Sequence, residues 1–427
     1  MKLYNLILIL ILFIKINYGS RIINSGNLFS ELKDYYIPEN LNYYSGGYSE
    51  ENCKNASYIT VPLGVTGGLD EGSLSSFLLT KKGSSLFIGL DAGTVWQGVR
   101  RLTMLQDFNS IFNITYPPWA TLPEQRATWF IKNHIQGYFI GHSHLDHVGG
   151  LIVESAEDQL SPKKNVIEVG QPEIYRGCIE MLYKMGYIAD FKNISSVPDQ
   201  KKPIIGISDT LTSIAGDLFN GAVWPNLPLY GRYSYFFVGN GNQYSLKDLT
   251  PYADKYVSKV QNEFPFNQNV KSFEICHDTL TSTAFILTDS TSGEQIVFFS
   301  DTGISTTKCD WEYKILQVWR NVKIDKLKAV YLESSFTNDV ADAALYGHLR
   351  PKDIMKLMDS LLENSIQTSP PKTNLKHVKL IIEHIKPQVG VNQYYLTSQR
   401  MVYQQLQEIN NHGIKVIIPN QGVPICF

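Results

Sequence analysis

From Tyr58 onward the chain sets short apolar runs against polar breaks that often carry glycine or aspartate. Runs at 58–63, 76–80, 85–90, 138–140, 165–169, 282–287, 295–299, 328–332, 379–383 and 414–418 have the length and β-branched or aromatic content of buried strands. Between them, 174–186, 310–321, 351–363 and 396–409 space their apolar residues so that a helix would gather them on one face. Pro351 fits the opening turn of the third of these helices, where its missing N–H is not needed. Strands in series, then strands alternating with helices, predict an α/β architecture of sheets covered by helices. Residues 21–56 are polar and rich in Tyr, Asn, Ser and Gly, and read as an irregular N-terminal arm before a domain at 57–427. The stretch 153–270 reads as an elaboration within that domain, and 221–233, with Trp224, as a surface loop.

The first residues have another pattern. Lys2 precedes an apolar run from Leu6 to Ile14, and small or polar residues follow as far as Ser20, which fits a secretory signal peptide at 1–20. The run is too short for a comfortable membrane span, and nothing later is long and apolar enough to cross a bilayer. The expected location is therefore extracellular, or the cell surface if the leader stays uncleaved. Three N-glycosylation sequons, at Asn55, Asn113 and Asn193, agree with that route. The five cysteines, Cys53, Cys178, Cys276, Cys309 and Cys426, show no C-x-x-C spacing. One or two disulfides with an odd thiol are expected, and the spacing does not assign the pairs.

With 427 residues, 43% of them hydrophobic, the chain can bury a large core. Its formal charge of −2 and lack of a basic block argue against binding long nucleic acids, which rests on many Lys and Arg contacts to phosphate.

The chemistry concentrates where the run 138–140 ends. Gly141-His142-Ser143-His144-Leu145-Asp146-His147 places three of the chain's nine histidines and an aspartate within six residues. Alternation puts His142 and His144 on one side of the backbone, where both rings reach one cation. Asp146 and His147, past the bend, can serve a second. Imidazole and carboxylate donors suit zinc or a similar divalent ion, and two such ions make a hydrolytic centre. His277, Asp301, His348 and His384 each stand at the end of an apolar run or before a helix start, so they are the remaining candidates. His134, His377 and His412 lack that context and read as ordinary surface or helix histidines.

The histidine cluster, with the glycine pair Gly149-Gly150 behind it, is similar to the metal motif of the metallo-β-lactamase fold. The wider series resembles the class II cyclic nucleotide phosphodiesterases. It runs through Leu63–Gly72, Leu90-Asp91-Ala92-Gly93-Thr94, Cys276-His277-Asp278, Phe299-Ser300-Asp301-Thr302-Gly303, Leu332-Glu333-Ser334-Ser335-Phe336, Tyr346-Gly347-His348-Leu349 with Pro351, and Glu383-His384-Ile385-Lys386-Pro387, spanning about residues 58–425. One departure is Cys276 and Asp278 where Ser and Gly would be expected around the third histidine.

The resemblance implies an αββα sandwich of two mixed sheets covered by helices. It implies one metal held by His142, His144 and His277, another by Asp146, His147 and His384, and Asp301 bridging them, zinc being the expected ion. A two-metal-activated hydroxide would open the 3′,5′-cyclic ester of cyclic AMP or cyclic GMP, with His348 protonating the leaving 3′ oxygen. Asp91 and Glu333 would orient ligand histidines or tie strand ends together. The glycines at 64, 67, 68 and 72 would let a loop approach the metals, although turn chemistry alone accounts for them. The expected partner is a small cyclic nucleotide, not a nucleic acid polymer. Its base preference and any protein inhibitor stay open. Rival readings are a tRNA 3′-processing-like nuclease, a thioester or lactone hydrolase of the same fold, and an inactive secreted binding protein.

Overall fold

Apolar runs with no polar alternation need a layer of protein on both faces, and the structure supplies one. The computed structural model describes residues 50–153, 202–228, 232–249, 267–304, 309–387 and 397–427. The first sheet holds β1 (Tyr58–Gly64), β2 (Ser76–Lys81), β3 (Phe87–Leu90), β4 (Ile135–Phe139), β5 (Lys202–Gly206) and β6 (Tyr233–Phe237). The second holds β7 (Gln243–Ser245), β8 (Gln268–His277), β9 (Leu280–Asp289), β10 (Gln295–Phe299), β11 (Leu327–Glu333), β12 (Lys379–Glu383) and β13 (Lys415–Ile417). A last short strand, β14 (Ile425–Cys426), returns to the first sheet beside β1. The strand orders are β14-β1-β2-β3-β4-β5-β6 and β13-β12-β11-β10-β9-β8-β7. Both sheets are mixed, with parallel pairing along β3-β4-β5-β6 and along β10-β11-β12-β13.

Side chains that alternate along each strand sort into three apolar layers. Phe77 and Leu79 of β2, Phe139 of β4, Phe285 of β9, Phe298 of β10 and Tyr331 of β11 share the layer between the sheets. Their rings meet edge-on across it, Phe77 against Tyr331 at 5.6 Å and Phe139 against Phe285 at 5.2 Å. The neighbours in sequence face outward. Leu78 and Tyr138 pack under α1 (Trp96–Thr103), α2 (Pro123–His134) and α3 (Leu145–Val153). Val297, Val330 and Leu380 pack under α4 (Trp311–Trp319), α5 (Pro351–Asn364) and α6 (Ser398–Glu408). In α5 the residues Ile354, Leu357, Met358 and Leu361 make the buried stripe at i, i+3, i+4 and i+7. Pro351 opens that helix, and the Asp353 carboxylate accepts from the Arg350 backbone N–H at 3.1 Å, fixing its first turn. The result is the αββα sandwich of the metallo-β-lactamase fold.

Several expectations need placing. Helix 174–186, strand 165–169, the leader and Asn193 lie outside the described residues. Part of the 153–270 stretch is core, because β5 and β6 extend the first sheet and β7 begins the second. Trp224 packs partly buried against the outer layer of the first sheet. A helical turn at Glu50–Cys53 precedes β1, and two disulfides form, Cys53–Cys426 and Cys276–Cys309. Asn55 and Asn113 are solvent-exposed. No described helix is long and apolar enough to cross a membrane.

Candidate active site

The strands that run parallel to β4 and β10 end on one rim of the sandwich, and the predicted site residues stand at those ends. Asp91 follows β3 and His142 lies just past β4, while His144, Asp146 and His147 sit at and within the first turn of α3. From the second sheet come His277 at the end of β8, Asp301 after β10, Glu333 at the end of β11 and His384 after β12. His348 arrives from the turn before α5. The structure brings all ten together.

His142, His144 and His277 group their ring nitrogens in one place, and Asp146, His147 and His384 in a second. Asp301 lies between. Its carboxylate oxygens are 3.4 Å from His147 Nε2, 3.3 Å from His384 Nε2, 3.8 Å from His277 Nε2 and 3.9 Å from His142 Nε2.

Hydrogen bonding settles which nitrogen each ring presents. His147 Nδ1 donates to Asp91 Oδ2 at 2.7 Å, and His277 Nδ1 donates to the Gly347 carbonyl at 3.0 Å. Ser300 Oγ donates to Asp91 Oδ2 at 2.8 Å, so it accepts from His142 Nδ1 at 3.2 Å. Ser335 Oγ likewise donates to Glu333 Oε2 at 2.6 Å and accepts from His384 Nδ1 at 2.9 Å. Four imidazoles are therefore anchored through Nδ1 and turn Nε2 toward Asp301 and its surroundings, His384 Nε2 also lying 3.1 Å from Asp146 Oδ2. Among the described residues, His142 Nε2 and His147 Nε2 are buried with no hydrogen-bond partner. Buried polar nitrogens without partners are costly, so ring nitrogens converging on a carboxylate fit divalent cations. Fixing each ring through its far nitrogen is how metal-ligating histidines are commonly held.

The rings differ in how readily they take a proton. Burial pulls the His142 imidazolium well below its ordinary range, and the neighbouring His147 adds to this. Burial also acts against the His147 cation, but the Asp301 and Asp91 carboxylates outweigh it and raise His147 well above. Burial would raise Asp301, yet His384 and His147 hold its carboxyl well below the usual carboxylate range. His348 is raised because the Glu333 carboxylate, 2.9 Å from its Nδ1, outweighs burial. Glu333 thus serves His348 directly and His384 only through Ser335.

A loop and several strained residues complete the site. Gly67 lies so close to the His384 ring that a Cβ would come within 2.3 Å of it, and the Gly68 N–H donates to Asp146 Oδ2 at 3.0 Å. Gly64, by contrast, presses on the Leu74 carbonyl, away from the metal-binding side chains. Asp91, Asp278, Tyr346 and His384 all have positive φ, between 46° and 58°, which L-residues adopt at a cost and which clusters at functional sites. A cavity of about 330 Å³ opens over the rings, lined by His144, Asp146, His277, Asp301 and His348. Its outer wall adds Asp278, Thr279, Leu280, Tyr346 and Lys386.

Sequence reasoning did not single out Ser300, Ser335, Lys386 or Glu383. Each serine adjoins or lies close to a quoted acidic residue, but nothing in its spacing marks the partner. Glu383 pairs in register with Glu333 and is buried. Burial, followed by the Asp91 carboxylate, raises it well above the usual range. His134, His377 and His412 make their hydrogen bonds elsewhere, to the Ser85 and Ile324 carbonyls and the Asp359 carboxylate.

The family model described as "cAMP phosphodiesterases class-II" matches residues 53–422. The chain belongs to the class-II cAMP phosphodiesterase family. It is 88% identical over 422 residues to the Dictyostelium discoideum protein named cAMP/cGMP-dependent 3′,5′-cAMP/cGMP phosphodiesterase 7, with 99% of each chain covered. It is 62% identical over 406 residues to cAMP/cGMP-dependent 3′,5′-cAMP/cGMP phosphodiesterase A of the same organism, covering 95% of this chain and 89% of that one. The crystal structure of unliganded yeast PDE1 superposes with a TM-score of 0.63 at 17% identity, over 87% of this chain and all of that chain, which shows a shared fold.

Proposed function

We propose that this phosphodiesterase hydrolyses 3′,5′-cyclic AMP and cyclic GMP to the 5′-nucleotides with two divalent metal ions, and that it does so outside the cell. The names of its near relatives support the substrate class. The observation that carries the chemistry is the convergence of His142, His147, His277 and His384 Nε2 on Asp301 beneath the cavity. In this reading His142, His144 and His277 hold one ion, Asp146, His147 and His384 the other, and Asp301 both. Zinc suits the donor set. Bound there, the ions would lower the pKa of water and offset charge on the phosphoryl oxygens.

The chain's own groups do the rest. Asp91 and Ser300 keep the Nδ1 protons of His147 and His142 in place, so neither ring turns its donor toward the site. Glu333 fixes His348 Nδ1–H, which leaves His348 Nε2 on the cavity side to give a proton to the departing 3′ oxygen. Secretion is supported by the leader pattern at 1–20, by the exposed sequons Asn55 and Asn113, and by two disulfides, which persist in oxidising compartments.

The test is turnover of both cyclic nucleotides by the purified protein, with and without chelator, beside a His144→Ala variant. Formation of 5′-nucleotide that chelation and the substitution both abolish is the expected result. Folded protein carrying two metals that turns over neither substrate would overturn the proposal.

A further inference from the structure

Most large apolar side chains among the described residues are buried, yet Tyr346 is 71% exposed and Leu280 is 41% exposed. Both line the active-site cavity, whereas Leu69 and Leu145, also exposed, do not. Leu280 pairs with His277 across the β8–β9 turn. Tyr346 precedes Gly347, whose carbonyl accepts from His277 Nδ1. The two turns abut: a Cβ on Gly347 would come within 2.3 Å of the Asp278 amide nitrogen. Tyr346 and Leu280 therefore stand on the same side of the cavity mouth, beside His277.

The backbone makes the tyrosine a notable choice. Tyr346 has φ +49° and Gly347 φ +82°, and a bulky residue in the left-handed region is disfavoured where glycine or asparagine would sit without strain. A turn needed only to carry His348 would gain from a smaller residue. The ring is instead held in water at the edge of a site built for a phosphate ester. An exposed aromatic face beside an anion site is what a nucleobase stacks on, and every base offers a π face to it.

Taking the cyclic nucleotide reading as its basis, we propose that Tyr346 and Leu280 form the platform that holds the purine base of the substrate. The platform grips the flat face of the base, which adenine and guanine both present to it.

The test is steady-state kinetics of the metal-loaded full chain on cyclic AMP, cyclic GMP and a base-free ribose 3′,5′-cyclic phosphate. Tyr346→Ala is expected to raise KM for both nucleotides about tenfold, the scale of one lost base–aromatic stack, with kcat within about threefold. Leu280→Ala should raise KM by about threefold, and Tyr346→Phe, which keeps the ring, should restore KM to within about twofold of the starting value. Tyr346→Gly relieves the backbone, so it should fold at least as well and still show the raised KM. On the base-free substrate, Tyr346→Ala should change kcat/KM by less than about twofold.

An unchanged KM in Tyr346→Ala would overturn the platform. So would an equal fall in kcat on the base-free substrate, since Tyr346 would then only be propping the His348 turn. Failure of the unaltered protein to hydrolyse either nucleotide would defeat the proposed function itself, whereas turnover that ignores Tyr346→Ala defeats the platform alone.

Discussion

Asp91 and Glu333 each fix two imidazoles, one directly and one through a serine, so Asp91 reaches one histidine of each proposed ion and Glu333 reaches His384 and the proposed acid His348. Asp91 Oδ1 accepts from the Gly141 N–H at 2.8 Å while Oδ2 accepts from His147 and Ser300. Asparagine tolerates the φ of +52° found at this position, so Asp91→Asn leaves the backbone alone. It provides one acceptor oxygen where two are used, and turns an NH₂ group toward either Gly141 or His147. The expected result is a loss of metal affinity of about 10–100-fold, read by competition with a graded chelator. Affinity within twofold of the starting protein would show that Asp91 does not orient these rings. His134, at the opposite end of β4 from His142, makes a different prediction. It is buried at the end of α2, donates from Nδ1 to the Ser85 carbonyl at 2.6 Å and stacks on Phe130. Burial pulls its pKa from 6.5 down to about 4. Above pH 6.5 the ring is neutral in both states and its contribution to stability is fully present. As pH falls below 6.5 the unfolded chain takes up the proton first, so stability drops until the folded pKa is passed. The loss is about 3 kcal/mol in all. Urea midpoints measured from pH 7 to 4.5 should fall more steeply for the native sequence than for His134→Gln, and parallel curves would refute the assignment.

At the scale of elements, legibility followed how far local pattern and tertiary role agreed. Strands at 295–299 and 379–383 appear with those bounds because both faces are buried and the strand pairing ends where the chain turns into Ser300-Asp301 and His384. Helices expected at 310–321, 351–363 and 396–409 appear as α4, α5 and α6, each with a clear apolar stripe. What stayed hidden had a pattern its surroundings override. β5 begins with Lys202 and Pro203, poor strand residues, yet Lys202 is buried with its ammonium on the Lys132 and Ile135 carbonyls. In α2 the buried residues are Ala127, Thr128, Phe130, Ile131 and His134, too few large apolar side chains to stand out among their polar neighbours. β6, Tyr-Ser-Tyr-Phe-Phe, lay inside a stretch whose scattered Pro, Gly and Asn masked it. The site divides the same way. Its histidines announce themselves because three fall within six residues. Ser300 and Ser335 do not, since a serine becomes a relay only when folding sets it beside a particular ring. Ser300 meets Asp91 across 209 residues of chain, a partnership that no local spacing encodes.

Across the whole molecule, the two sheets share the site between them. Asp91, His142, His144, Asp146 and His147 belong to the first half, and His277, Asp301, Glu333, His348 and His384 to the second. Their meeting depends on the central apolar layer, in which Phe77, Phe139, Phe285 and Tyr331 interlock. The two disulfides sit differently in this frame. Cys53–Cys426 closes a separation of 373 residues and ties the helical turn before β1 to β14, where Cys426 pairs with Ile59 at the beginning of β1. The loop carrying Gly67 and Gly68 leaves the other end of β1, so this crosslink holds the sheet edge rather than the site. Cys276–Cys309 spans only 33 residues, but Cys276 adjoins His277. A crosslink over a long loop removes more entropy from the unfolded chain than one over a short loop. Replacing Cys53 and Cys426 together by serine should therefore cost about 2–5 kcal/mol of stability. It should shorten the half-life of thermal inactivation while leaving metal content and room-temperature kcat/KM within about twofold, because the ligands are untouched. Replacing Cys276 and Cys309 together should cost less stability and more metal, since the strand end that delivers His277 loses its tether. Half-life and metal retention measured on both double variants decide the matter: equal metal loss in the two would mean that His277 is held by β8 and the Gly347 carbonyl alone.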